Sequence, residues 1–275
     1  MNLHLLARRP FWWPLLLTLL LAACAAPGPG GLSLNRSHPA QGQDSRVDFL
    51  VIHYTASGNE ASLATLTKHN VSSHYLITRE PRPQVYLLVN EERRAWHAGL
   101  SEWRGRTYLN NASIGIELVN QGYTETPEGR IWQPWSEQQV EALIVLLKDI
   151  MQRHGLTADH VLAHSDIAPQ RKVDPGPAFP WQRLAQEGLI RWPDPQEVAQ
   201  HLTVFKQQLP SVDWFQKQLA QIGYAVPEHG ELDQATRNVL AAFQMKYRPQ
   251  QYDGEPDAQT AAMLLALTTQ MRSQP

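Results

Sequence analysis

The chain has 275 residues, 43% of them hydrophobic and 18% charged, so a sizeable core can be buried and disorder throughout is excluded. Lys and Arg number 24 against 26 Asp and Glu, and the net charge of -2 offers no basic face for nucleic acid. One cysteine excludes an intramolecular disulfide and any cysteine-rich zinc finger, which leaves the 11 histidines as candidates for metal or acid–base chemistry.

Arg8 and Arg9 precede an apolar stretch from Phe11 to Ala23. That stretch is too short to span a bilayer, which takes about 20 helical residues. A basic start, a short apolar core and small residues at the end describe an export signal over residues 1–23. Leu21-Ala22-Ala23 followed by the lone Cys24 resembles a bacterial lipobox, in which the signal is cut before the cysteine and the cysteine is acylated. The alternative is an ordinary cleaved signal with an incidental cysteine. Ala25 in place of Asp implies, by the same resemblance, anchoring in the outer membrane facing the periplasm. Residues 24–45 are rich in Pro, Gly, Ser and Gln and cannot bury enough surface to offset their ordering entropy. They are expected to form a lipid-anchored linker, with a reach of roughly 70 Å when extended.

From Val47 the β-branched run to Tyr54 predicts a buried strand, and Glu60 to His69 a short helix. His74–Thr78 and Gln84–Val89 are strand-like runs separated by the turn-rich 80–83, and Ser113–Val119 is another strand. The clearest helix starts at Ser136, with Gln139 completing a capping box and Gly155 just past its end. Val140, Leu143, Ile144, Leu147, Ile150 and Met151 share one face of it. A short strand at Val161–Ala163 leads into a proline-rich loop. This order predicts an α/β fold, a mixed central β-sheet flanked by helices, over residues 46–190. Trp192-Pro193-Asp194-Pro195 reads as a stop, residues 191–210 as a connector, and 211–275 as a small separate helical unit. That partition predicts that chemistry survives removal of the helical unit.

A lone histidine at a strand end, such as His53 or His164, is more often a packing residue than a ligand. Their combination changes the odds. Ten residues after His164, Asp174 places a carboxylate on a rigid loop. Glu117 sits in an otherwise apolar strand, where a carboxyl is costly unless paired, hydrogen-bonded or near a metal. Two histidines and one carboxylate leave a tetrahedral zinc ion with an open fourth position for catalysis.

The segments FLVIHYTAS (49–57), VSSHYLI (71–77), RAWHAG (94–99), SIGIEL (113–118) and AHSDIAPQRKVDPG (163–176) occur in that order. Together they resemble the zinc-dependent N-acetylmuramoyl-L-alanine amidases of the AmpD/AmiD type, relatives of phage lysozyme amidases and peptidoglycan recognition proteins. The resemblance implies one Zn2+ per chain held by His53, His164 and Asp174, with Glu117 as general base and Lys172 stabilising the oxyanion. It implies hydrolysis of the amide between N-acetylmuramic acid and L-Ala of peptidoglycan stem peptides, in cell-wall turnover. His74 is either a structural hydrogen-bonder beside the cleft or a substrate contact; Trp96 and His97 are expected to line the site. His154 is expected to do no more than complement the helix dipole.

The C-terminal unit resembles a three-helix peptidoglycan-binding module through Val212, Leu219, Gly223-Tyr224, Gly230, Asp233, Thr236, Phe243-Gln244, Asp253-Gly254, Thr260 and Leu264. A plain bundle packed on the catalytic part is the other reading. Two rival functions remain: a peptidoglycan-binding protein on the same fold without turnover, and a metallopeptidase. The first should lack a ligand or the base, and the second should show another ligand spacing.

Overall fold

The computed structural model describes residue 32, residues 34–79 and residues 81–273. The export signal and Cys24 lie outside the described residues, and 34–44 form no helix or strand. Residues 45–275 make one compact unit.

Strand β1 (Phe49–Tyr54) leads into helix α1 (Asn59–Lys68), then β2 (Tyr75–Ile77) and β3 (Val85–Leu87). Two short strands, β4 (Glu102–Trp103) and β5 (Arg106–Thr107), precede β6 (Ser113–Leu118). A hairpin of β7 (Tyr123–Thr126) and β8 (Gly129–Trp132) follows, then the long helix α2 (Glu137–His154) and β9 (Val161–Ala163). Helices α3 (His164–Ile167) and α4 (Trp181–Gln186) finish this part. The main sheet has the order β3-β2-β6-β1-β9, with only β3 antiparallel to its neighbour. The predicted mixed sheet flanked by helices is therefore the fold.

Strand alternation divides the sheet into two faces. Leu50, Ile52, Ile114, Ile116 and Leu118 bury one face against Val140, Leu143, Leu147 and Ile150 of α2. Ser136 caps α2 by accepting from the Gln139 N–H, and Gly155 closes it at φ 67°. The expected reciprocal half of the capping box is not made. The Gln139 side chain instead donates to the carbonyls of Ile77 and Val119, both at 3.1 Å, and ties the helix to the sheet.

On the opposite face, Phe49, Val51 and Leu162 share one apolar cluster with Phe215, Leu219, Phe243 and Leu264 from the C-terminal helices. Those helices are α6 (Val212–Ile222), α7 (Gln234–Tyr247) and α8 (Ala258–Ser273). The sheet thus has helical cover on both sides, and the C-terminal unit supplies part of it. The stretch expected to be a connector contains α5 (Pro195–Gln207). Asp194-Pro195, read as a stop, is its start: the Asp194 carboxylate accepts from the N–H groups of Gln196 and Glu197. Proline fits the first helical position because its missing donor would be unpaired there anyway.

The weak sequence similarity between 228–231 and 252–255 has a structural counterpart. Buried Gln216 accepts from the Gly230 N–H and donates to the Glu231 carbonyl and Thr236 hydroxyl. Buried Gln244 does the same with Gly254, Glu255 and Thr260. Two equivalent glycine turns are thereby pinned in the same way.

Candidate active site

Parallel pairing sets His53 at the end of β1 directly beside Glu117 of β6. Strand β9, paired on the other side of β1, runs straight into α3, whose first residue is His164. Asp174 is brought back to this corner because its carbonyl accepts from the Ser165 N–H at 2.9 Å. His53 Nδ1, His164 Nδ1 and Asp174 Oδ2 converge: the two nitrogens are 2.8 Å apart, and the oxygen lies 3.3 Å from the first and 3.0 Å from the second. All three residues are buried.

The outward ring nitrogens bear on what this cluster can hold. His164 Nε2 lies 3.3 Å from the Ala98 carbonyl, an acceptor, and 3.4 Å from the Arg171 guanidinium, a donor; in the tautomer that donates to Ala98, Nδ1 keeps its lone pair. His53 Nε2 lies 3.0 Å from His97 Nδ1, and His97 Nε2 lies 3.1 Å from the Ser113 hydroxyl. With His53 donating to His97, its Nδ1 also presents a lone pair. Burial, followed by the proximity of His164, pushes His53 down to about 4, so its ring is neutral at pH 7. Burial alone would raise Asp174, but His164 and His53 beside it hold its carboxyl well below the usual range. Two imidazole lone pairs and a carboxylate within 4.8 Å of one another form a donor set that fits a divalent cation such as zinc. Each of the two rings has its second nitrogen beside a partner, the arrangement that orients a metal-binding imidazole.

Glu117 stands next to this cluster with Oε2 buried and without a hydrogen-bond partner. Desolvation, reinforced by the charge of Asp174 and opposed by Lys172, raises its carboxyl to about 8. A cavity of about 410 Å³ opens over these groups, lined by His53, His164, Asp174, Glu117, Lys172 and Trp96 among others. Trp96 is exposed at its mouth (53%).

His97 lines the same cavity but faces His53. Gly115 makes room for it, since a Cβ on that residue would come within 2.4 Å of the imidazole. His74, by contrast, is fully buried and outside the cavity lining, which corrects the reading of it as a substrate contact. Its Nδ1 accepts from the Gly115 N–H at 3.0 Å and its Nε2 lies 3.0 Å from the Arg93 carbonyl, so backbone groups take both ring nitrogens. His154 also does more than complement a helix end: it bridges Ser45 and Glu91 at 2.8 and 2.7 Å.

Sequence reasoning passed over Arg171 and the Ala98 carbonyl. The Arg171 guanidinium donates to the carbonyls of Ala98 and Leu100 and fixes the loop behind His164. A glycine inside the apolar run of β6 was the available signal for close approach at Gly115.

A cation-competent donor set beside a proton-holding carboxyl in an open cavity is the equipment of a hydrolase. Residues 43–177 match the family described as N-acetylmuramoyl-L-alanine amidase, and residues 208–264 match a peptidoglycan-binding domain family. The chain is 45% identical over 271 residues to the N-acetylmuramoyl-L-alanine amidase AmiD of Escherichia coli K12, covering 94% of this chain and 97% of that protein. It is 42% identical over 114 residues to the 1,6-anhydro-N-acetylmuramyl-L-alanine amidase AmpD of Enterobacter cloacae, covering 42% of this chain and 55% of that protein.

Among solved structures, it superposes on E. coli AmiD in complex with anhydro-N-acetylmuramic acid-L-Ala-D-γ-Glu-L-Lys, with a TM-score of 0.79 and 44% identity. That match covers 87% of this chain and 95% of the other. AmpDh3 of Pseudomonas aeruginosa, in complex with anhydromuramic pentapeptide, matches with a TM-score of 0.81 and 37% identity over 87% of this chain and 98% of the other. The chain belongs to the N-acetylmuramoyl-L-alanine amidase family.

Proposed function

We propose that this chain is a zinc amidase of the bacterial envelope that hydrolyses the amide between the lactyl group of N-acetylmuramic acid, ordinary or anhydro, and the L-Ala of a peptidoglycan stem peptide. The observation that carries the reading is the convergence of His53 Nδ1, His164 Nδ1 and Asp174 Oδ2 beside the unpartnered Glu117 carboxyl in one cavity. Bound there, zinc supplies Lewis acidity, polarising the scissile carbonyl and bringing the pKa of a water towards ~7.

The chain's own groups handle the protons. Glu117 takes one proton from the attacking water and passes it to the leaving L-Ala nitrogen. The carbonyl carbon gains the water oxygen as the C–N bond breaks, giving the lactyl carboxylic acid and a free amine; the water's second proton then passes from that acid to the amine, leaving carboxylate and ammonium. A carboxyl raised towards neutrality suits both steps, because an acid–base group works best with a pKa near the operating pH. The Asp174 charge would be offset by a divalent cation held by His53, His164 and Asp174, favouring the ionised form of Glu117 before attack. Lys172 lines the same cavity, and its ammonium is assigned to the oxyanion that forms on the carbonyl.

We further assign residues 1–23 to an export signal, Cys24 to lipid attachment at the outer membrane, and 24–45 to the linker that lets the folded part reach the wall. In the described residues no helix is long and apolar enough to cross a membrane. Mass spectrometry of muropeptides after digestion tests the activity. Free stem peptides starting at L-Ala are expected; shortened peptides still carrying muramic acid would indicate a peptidase, and unchanged muropeptides a binding protein.

A further inference from the structure

Asp166 is a buried carboxylate two residues beyond His164, and neither of its oxygens is left to the catalytic part alone. Oδ2 accepts from the Ala163 N–H at 2.8 Å and from Lys246 Nζ at 2.7 Å. Oδ1 accepts from the Tyr224 hydroxyl at 2.7 Å. Lys246 belongs to α7 and Tyr224 follows α6, so both partners come from the C-terminal unit. Both are themselves buried, at 5% and 4% exposure. Lys246 Nζ also donates to the Val161 carbonyl at 3.3 Å and sits 4.5 Å from the centre of the Trp181 ring. The Tyr224 ring packs edge-on against Trp103, with centroids 4.8 Å apart.

A buried ion pair is a poor source of net stability, because desolvation offsets most of the attraction; what it supplies is direction. With both oxygens engaged, the Asp166 carboxylate cannot rotate, and it holds the Ala163 amide at the point where β9 turns into α3. His164 hangs from that turn.

A second contact reaches the third ligand. The Trp132 ring lies against Gly176, so close that a Cβ there would be 2.3 Å from it, and its indole N–H donates to the Tyr252 hydroxyl of the C-terminal unit at 2.8 Å. Gly176 is two residues beyond Asp174.

We infer that the C-terminal helical unit positions the metal ligands of the catalytic part, with Lys246 and Tyr224 holding Asp166 under His164 and Tyr252 holding Trp132 under the Asp174 turn. This deepens the zinc reading of the site and assigns the unit a role beyond any contact with the cell wall. Lys246, Tyr224 and Asp166 are positioning residues and touch no substrate.

The test uses the full chain. Tyr224→Phe removes one hydrogen bond and keeps the volume; Lys246→Met removes the charge; Lys246→Arg restores it. Zinc affinity is measured by competition with a chromophoric chelator, and amide exchange at Ala163 and Ser165 is measured in the metal-free protein. Tyr224→Phe and Lys246→Met should each lower zinc affinity by about 10–100-fold, the range for groups that orient metal ligands. Both should speed exchange at the two amides, and Lys246→Arg should recover part of the affinity. The KM for a soluble muropeptide should stay within about twofold while kcat falls at limiting zinc. Should Lys246→Met fail to fold, Tyr224→Phe alone decides. Folded variants with unchanged zinc affinity and unchanged exchange, whatever their melting temperature, would overturn the inference. Exchange needs no metal, so it still decides if the wild-type chain takes up no zinc; that result would sink the zinc reading instead.

Discussion

His53 and Glu117 are paired in register across adjacent parallel strands, each one residue before its strand's end. The pairing puts a metal-competent nitrogen and an unpartnered carboxyl at one edge of a rigid sheet, where neither can drift from the other. Glu117→Gln keeps the shape and hydrogen-bonding reach while removing the base. Zinc content should stay at the wild-type level while turnover falls by about 10²–10⁴-fold, the usual share of a general acid–base group. Metal analysis beside a rate measurement checks both. A metal-loaded variant near wild-type rate would move the proton to another group, with His97 next to examine.

The ligands should behave differently from the base. His53→Ala, His164→Ala or Asp174→Ala removes a donor from a set of three, so zinc content and activity should be lost together. Lys172→Ala should retain the metal and lose about 10²–10³-fold in rate, as removal of one oxyanion donor does. Retention of zinc by any of the three ligand variants after chelator challenge would contradict the assignment.

Much of this is legible in the sequence, because strand ends and apolar periodicity are local signals. The β-branched run to Tyr54 that carries His53, the acidic residue inside β6 and the helical stripe of α2 each occupy the element expected of them. His74 was ambiguous in sequence since only the fold shows that backbone groups take both of its nitrogens. Helix α5 went unseen because Asp-Pro serves equally as a turn and as a helix start, and tertiary packing decides between them. The role of Lys246 was hidden for a related reason. Its partner Asp166 is 80 residues away, and nothing in a helical stripe marks a lysine as buried.

The anchor can be tested on the whole cell. With Cys24 acylated, the full-length protein should fractionate with outer membranes and carry lipid mass on its mature N-terminus. Cys24→Ala should abolish the lipid and release or misprocess the chain. Wild-type protein recovered soluble from the periplasm, with an unmodified N-terminus, would leave an ordinary cleaved signal as the correct reading.

Glu91 gives the fold a predictable response to acid. Burial would raise its carboxyl, but hydrogen bonds from Arg153, Tyr75 and His154 bring it down to about 2 from an ordinary 4.5. A carboxyl lowered in the folded state stabilises at pH above 4.5, and that contribution is lost as pH falls through 4.5 towards 2. Glu91→Gln should therefore cost stability near neutrality and flatten the dependence between those limits. Urea midpoints measured at several pH values check the slope. Equal slopes for the two proteins would show that Glu91 is not the responsible group.

Removing residues 211–275 tests whether the catalytic part can stand alone, as the break in composition suggested. The shared core argues that it cannot. Phe49, Val51 and Leu162 would lose their partners Phe215, Leu219, Phe243 and Leu264, exposing one face of the sheet. Each such side chain contributes about 1.5–3 kcal/mol when buried. Without Lys246, the Asp166 carboxylate would remain without its buried counter-charge, and breaking such a pair costs about 3–5 kcal/mol. Together these losses rival the whole stability of a typical domain, about 5–15 kcal/mol. The truncated chain should accumulate as aggregate, or fold with a much lower melting temperature and weak zinc binding. Solubility, thermal unfolding and chelator competition on the 45–210 fragment read this out. A soluble fragment with wild-type zinc affinity and full activity on small muropeptides would restore the independent catalytic domain, and would confine the C-terminal helices to contact with the wall.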